Sequence, residues 1–214
     1  MKKKIKVEKP KLLEELELIE DVYSEIEKYE TIRNKVIQDT SISDIEGIRI
    51  SLDSCLFKNV DFYECDFSKI DLLDVVFENC DLSNISFNDS SIYRVEFKNC
   101  KLIGSKFEDC VMKNVSFDNV LGKYINFSFS KFKGVEMKEC NLDSSVFQEI
   151  INEGILLENN ELKNSNFHKS KLNGIDFRTC NIEEVEVGIN EVSGAIFNME
   201  QALDLTRLMK IIIK

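Results

Sequence analysis

From Leu52 onward, large apolar side chains return at every fifth residue. Stepping by five from Leu52 to Phe197 defines thirty positions, of which 28 are large and apolar; Gly122 and Asn152 are the interruptions, and the frame never slips. Fourteen of the fifteen phenylalanines stand in this series, Phe129 alone lying outside it. Two residues before each of these centres runs a second column of compact side chains (Cys55, Val60, Cys65, Ile70, Val75, Cys80), which contains all seven cysteines. The other three positions of each repeat are mostly polar. Neither a 3.6-residue helix nor a 2-residue strand has this period. Two inward residues per five, at alternating spacings of two and three, require a turn in every repeat. Four such turns close a square coil of twenty residues, and stacked coils pair backbone to backbone about 4.8 Å apart. Each coil then buries its apolar side only against its neighbours, which is the logic of a solenoid. Thirty repeats give about 7.5 coils, a rod roughly 35 Å long at that spacing.

In such a coil, residues twenty apart stack. Asn59, Asn79, Asn99 and Asn119 share one outer column, and Gly134, Gly154, Gly174 and Gly194 share another. Asn and Gly tolerate positive φ, which the third residue of a type II turn requires, so turns of that type are expected there. The Asn column reads as a turn-forming, mutually hydrogen-bonded ladder rather than a ligand site. Cys80 and Cys100 stack in one column, but their slot selects small side chains, no CxxC pair exists, and the slot has no room for a tetrahedral metal. The cysteines are therefore expected to be reduced packing residues, and no metal or other cofactor is expected.

Both ends of a solenoid expose apolar core and need covers. Residues 1–47 read as an N-terminal helical cap and connector. Its helix is expected over 11–38, because Pro10 suits a first helical turn and Leu12, Leu16, Ile19, Tyr23 and Ile26 recur at helical spacing; a coiled-coil contact with a partner is the alternative use of that face. Residues 48–198 form the repeat. Helical spacing returns over 199–214, where Leu205, Leu208 and Met209 share a face and Ile211, Ile212 and Ile213 follow. Three isoleucines at an exposed terminus call for a partner surface. The basic start, MKKKIKVEKPK, is followed by LLEELELIEDV, with acids where a signal peptide is apolar. No run of 18 apolar residues exists, so no membrane span and a cytoplasmic location are expected.

The pairs Asp61-Phe62, Asp66-Phe67, Asp71-Leu72, Asp81-Leu82, Asn141-Leu142, Asn166-Phe167 and Asp176-Phe177 resemble the A(D/N)LXX unit of the pentapeptide-repeat family. The resemblance covers about residues 48–198, with Cys, Val, Ile and Ser where that family often has Ala. It implies an all-β solenoid, a right-handed quadrilateral β-helix. The C-terminal segment resembles the terminal helix of the Qnr-type and MfpA-type branch through Gln201-Ala202, Leu205 and the Ile211 run; it departs at Lys210, where that branch often has Gly. This likeness implies a homodimer joined end to end through Leu205, Leu208, Met209, Ile211, Ile212 and Ile213. It also implies a DNA-mimicking partner of DNA gyrase or topoisomerase IV that either protects the enzyme from quinolones or inhibits it. The alternative is a rigid protein–protein scaffold with an unrelated partner.

Charge bears on that choice. Acidic residues outnumber basic ones 39 to 28, for a net charge of −11, so the chain should repel nucleic acid rather than bind it. A single histidine, His168, excludes His-dependent triads and multi-His metal sites within one chain. No phosphate loop or nucleophile elbow is present, and no enzymatic activity is expected. The acid is not continuous. Residues 44–96 hold 12 acids against 4 bases, 97–133 hold 3 against 7, and 134–198 hold 12 against 5. The acidic candidate surface toward the dimer end is Asp143, Glu161, Asp176, Glu183, Glu184 and Glu186. The basic belt centres on Lys98, Lys101, Lys106, Lys113, Lys123, Lys131 and Lys133. Beside the Gly122 interruption, Leu121, Tyr124 and Phe129 form a candidate side patch, since breaks in regular scaffolds often carry function. Any loop inserted at the Asn152 break must be a multiple of five.

Overall fold

The computed structural model describes residues 6–19, 21–28, 31–46 and 50–210. It is a parallel β-solenoid. Strands β1 (Glu17–Leu18), β2 (Thr31–Arg33), β3 (Lys35–Ser43), β4 (Ser51–Tyr63), β5 (Asp71–Glu78), β6 (Ser91–Lys98), β7 (Val111–Asp118), β8 (Lys131–Lys138), β9 (Ile151–Asn152) and β10 (Ile155–Glu158) form one sheet. From β3 to β10 every pairing is parallel with a step of twenty, as in Leu72↔Ile92 and Phe97↔Phe117. These strands build two adjacent walls. The other two walls are held by single bridges at the same step, such as Asp81↔Lys101 and Ser86↔Lys106. The expected coil of four five-residue sides is thus found, with its register.

Inside, the centres stack at the coil spacing. Phe57, Phe77, Phe97 and Phe117 lie face over face with centroids 5.0, 5.1 and 5.0 Å apart. A second stack, Phe87–Phe107–Phe127–Phe147–Phe167, meets the first edge-on, as at Phe97–Phe107 (5.9 Å, 84°). Offset stacks crossed by T-shaped contacts are the arrangements the ring quadrupole favours. Gly122 does not leave an open slot. A Cβ built there would meet Leu142 Cδ2 at 3.0 Å, and on the opposite side of the same coil stands Phe132, fully buried. At Asn152 no loop projects. The strand is split by Glu153 and Gly154, and both halves pair with β8 at a step of twenty (Phe132↔Asn152, Val135↔Ile155).

Positive φ occurs in the Asn and Gly columns as expected, but it is far more general. The residue two after the centre is left-handed through almost the whole rod, including Glu64, Lys69, Arg94, Tyr124 and Phe129. The Asn column is the expected ladder: Nδ2 of Asn119, Asn99 and Asn79 donates to Oδ1 of Asn99, Asn79 and Asn59 (2.9, 3.2 and 3.1 Å). It ends on Asp39, which accepts from Asn59 at 2.7 Å.

The N-terminal region departs from expectation. Among the described residues the helix foreseen over 11–38 is confined to α1 (Val22–Lys28), and the solenoid begins at β2, not at residue 48. Ile32, Ile37 and Ile42 are buried and continue the five-residue frame backward; Ile32 and Leu52, Ile37 and Phe57, and Ile42 and Phe62 pair in register. Those three β-branched residues gain more by stacking on a coil below than a lone helix would by its propensity. The cover is smaller: Val22 is buried, Ile19 and Ile26 pack on the core, and β1 pairs with β3 out of frame (Glu17↔Lys35). At the other end α2 (Met199–Leu205) is followed by a 3-10 turn, Thr206–Met209. Among the described residues no helix is long and apolar enough to cross a membrane.

Candidate interaction surfaces

The compact column explains the cysteines. All seven are free and buried. Most side-chain donors at this position reach the carbonyl of a centre residue on the preceding coil: Cys110 Sγ to Phe87 O (2.9 Å), Cys100 Sγ to Phe77 O (3.3 Å), Ser105 Oγ to Leu82 O (2.7 Å) and Asn160 Nδ2 to Met137 O (2.8 Å). The slot therefore takes small side chains and rewards a donor, which is why Ser, Cys and one Asn share it. Burial pushes the Cys110 and Cys140 thiols up to about 12, so neither presents a reactive thiolate near neutral pH. Among the described residues no group of three or more His, Cys, Asp or Glu is placed to hold a metal, and no buried side-chain polar atom lacks a partner.

The six acidic candidates do not form one stripe. Asp143, Glu161 and Glu183 share a wall, Glu184 stands at its corner, and Asp176 and Glu186 lie on the two flanking walls, as the twenty-residue register requires. All six are engaged locally. Asp143 faces Lys123 at 3.4 Å, Asp176 takes Arg178 in a fork, Glu183 pairs with Lys163 at 2.8 Å and Glu184 with Arg207 at 3.2 Å. Glu161 and Glu186 accept from Asn181 and Asn166 (2.8 and 3.1 Å). The hydrogen bond from Arg178 holds the Asp176 carboxyl below the usual range. The basic belt is likewise cross-braced. Lys98, Lys101 and Lys123 each pair with a carboxylate twenty residues away and Lys131 with Glu153, while Lys113 sits over the Tyr93 ring at 4.5 Å.

Of the side patch, Tyr124 and Phe129 are exposed and Leu121 is half-buried. Both aromatics occupy left-handed corners (φ 61° and 63°), a conformation that bulky residues rarely adopt. Their stacked neighbours there are Gly104 and Ser144, and Asp109 and Glu149.

The C-terminal helix is first of all a cover for its own rod. Asn198 forms a capping box with Gln201. Gln201 is buried, and its Nε2 donates to Phe177 O (2.9 Å) and Cys180 O (2.8 Å). Leu205 packs on the core of its own last coil, so this candidate interface residue is turned inward. Leu208 is half-buried and Met209 exposed; Ile211, Ile212 and Ile213 lie outside the described residues. Besides Met209, two further apolar side chains point outward, Met199, 88% exposed, and Leu203, 54% exposed. Sequence reasoning missed both, because helical spacing alone does not say which side docks.

It also missed a polar pair at a corner of the rod. Arg94 forks onto Asp74 one coil away (Nε–Oδ1 2.6 Å, Nη2–Oδ2 2.5 Å), and the Lys11 backbone N–H donates to the same carboxylate at 2.8 Å.

Stacked coils of four five-residue sides with an apolar centre on each side define a pentapeptide-repeat β-solenoid. The family model described as pentapeptide repeat region matches residues 50–127 and 70–147, so this part of the rod carries that repeat. Among solved structures the chain is similar to a trypsin-treated form of QnrB1, a plasmid-mediated fluoroquinolone resistance protein (17% identity over 86% of this chain and 98% of that one, TM-score 0.46). It is also similar to full-length QnrB1 (22%, 85% and 90%, TM-score 0.41). A third is the pentapeptide repeat protein Rfr23 from the cyanobacterium Cyanothece 51142 (8%, 82% and 96%, TM-score 0.39). No curated protein matches the sequence.

Proposed function

We propose that this chain is a non-enzymatic binding rod that acts on a type II topoisomerase, DNA gyrase or topoisomerase IV, as a DNA mimic and as an end-to-end homodimer. One observation carries the reading: rigid walls locked at a constant twenty-residue step hold carboxylates outward on three adjacent sides of the C-terminal half. Such an array can face basic residues that otherwise grip phosphates. The local ion pairs fix where each carboxylate points, while net acid remains on this half. QnrB1, to which the chain is similar, is described as a plasmid-mediated fluoroquinolone resistance protein.

The test is gyrase supercoiling and topoisomerase IV decatenation across a titration of the protein, with and without ciprofloxacin. Protection or inhibition, lost on reversing Glu183, Glu184 and Glu186 to Lys, supports the reading. No effect on either enzyme at concentrations well above it overturns the reading. Point substitutions are preferable to deleting 199–214, because that deletion would strip Gln201 and Leu205 from the end of the core.

A second reading has its own observation. Tyr124 and Phe129 hold exposed aromatic rings on left-handed backbone, and such strain is retained where surroundings or function require it. A scaffold that binds an unrelated protein would use this corner, and Tyr124→Asn with Phe129→Asp would abolish that binding while leaving supercoiling unaffected.

A further inference from the structure

Residues 6–13 are neither helix nor strand, and part of this stretch is laid against the rod. Pro10 biases Lys9 toward extended backbone. Lys11 anchors one end of the segment through its N–H on Asp74, a carboxylate only 5% exposed and already forked by Arg94. From that anchor the chain runs past successive coils. Val7 and Lys9 form one side of a cleft of about 230 Å³, whose other side includes Glu96, Asp118, Glu136 and Glu158. Those four carboxylates come from four consecutive coils, on the outward positions either side of the Phe97–Phe117 stack. The segment therefore crosses the strands and follows the rod axis. Lys138 beside them is paired with Glu158 at 3.3 Å. Lys9 makes no ion pair with a described residue, and a cleft remains open between the segment and the wall. The occupant is pinned at one point and otherwise held by the field of the wall.

We propose that this wall is a peptide-binding track that takes a lysine-bearing extended segment laid along the rod axis, and that the chain's own residues 6–11 are its resident, displaceable occupant. The external occupant is a basic, unstructured segment of another protein. The wall offers it a buried carboxylate that accepts a backbone N–H at one end and a line of acids at coil spacing beyond it. A regular helix does not fit this role, because its N–H groups are already used beyond the first turn. Competition with the resident segment sets a threshold: a partner must outbid a group that is held at high local concentration by its own chain.

The test needs no topoisomerase, so its failure and that of the proposed function are separable. A fluorescent peptide with the sequence of residues 1–12 is titrated into the chain lacking those residues and into the intact chain. Binding to the shortened chain, about tenfold or more weaker to the intact one and weakened by salt, is the expected result. Glu96→Lys with Glu136→Lys should abolish it in a shortened chain that still shows native circular dichroism. Hydrogen exchange at the Lys11 amide in the intact chain covers the case in which the shortened chain does not fold; slow exchange that becomes fast in the Glu96→Lys/Glu136→Lys variant supports the track. Equal binding to both chains, no binding to a folded shortened chain, or unprotected Lys11 overturns it.

Discussion

Arg94 closes a two-pronged ion pair onto Asp74, twenty residues before it and one coil away, with both side chains almost fully withdrawn from water. Both residues stand at left-handed corners of the same column (φ 51° and 55°), so the register that stacks the coils also sets the fork. Removing one partner leaves a buried charge without its counter-ion, which costs about 3–5 kcal/mol. Arg94→Leu should therefore lower the urea midpoint strongly, and Asp74→Leu with Arg94→Leu should lower it less than Arg94→Leu alone. An equal loss in the single and double variants would show that packing, not charge, matters there.

The same pair predicts a pH dependence. Burial would lift the Asp74 carboxyl, but the hydrogen bonds from Arg94 and from the Lys11 N–H outweigh it and hold it below the usual range. A carboxyl whose folded value lies below its unfolded one contributes stability above the unfolded value, about 4. That contribution fades as pH falls through the folded value. Unfolding free energy measured from pH 6 down to pH 2 should therefore drop, and the drop should be shallower in Asp74→Asn. Parallel curves would rule Asp74 out as a source of the acid sensitivity.

The compact column makes a different prediction. Ser130 Oγ donates to Phe107 O at 2.5 Å and accepts from the Cys110 N–H at 2.8 Å. Ser130→Ala strands both backbone groups inside the rod, at about 1–3 kcal/mol for each buried group left unsatisfied. Ser130→Cys keeps a donor and nearly the same volume, so it should recover most of that loss in thermal unfolding. If Ala and Cys behave alike, the slot selects size alone.

How much of this was legible follows from period and register. Twenty-residue stacking could be read from Leu52 to Phe197 because large side chains at a fixed step leave one way to close the coil. The first coil was hidden because Leu12, Leu16, Ile19 and Ile26 suggest a helix that runs on through Ile32. Only the in-phase Ile32, Ile37 and Ile42, beyond the break at Gly47, carry the competing signal. The Asp74–Arg94 fork could have been found by asking which opposite charges lie twenty apart. The Lys11 contact could not, since nothing in a non-repeating segment states where it lies on a wall. The donor role of the cysteine slot was visible only as a puzzle: Ser90, Ser105, Ser130 and Asn160 stood among apolar residues.

At the Gly122 interruption, Tyr124 and Phe129 hold left-handed φ without glycine's freedom. Asn is at ease there, as Asn84 and Asn164 show in the same column as Tyr124. Tyr124→Asn should stabilise the rod by roughly 0.5–1 kcal/mol through relief of that strain, read as a higher melting temperature. A lower one would mean that the exposed ring makes contacts worth more than its strain.

The C-terminal helix separates two roles that its sequence blends. Gln201 and Leu205 face the rod they cover, while Met199 and Leu203 face away from it. A homodimer that joins two rods at this end would bury the second pair. Leu203→Glu should then convert dimer to monomer in sedimentation with little change in melting temperature measured at low protein concentration. Gln201→Ala takes the donor from Cys180 O, while Phe177 O keeps the Cys180 N–H, so it should cost about 1–3 kcal/mol for the one buried group left unsatisfied whatever the oligomeric state. If Leu203→Glu leaves the sedimentation coefficient unchanged from that of a dimeric parent, the subunits meet elsewhere. If the parent is itself a monomer, this helix is only a cap, and the acid of two subunits does not add at a shared seam.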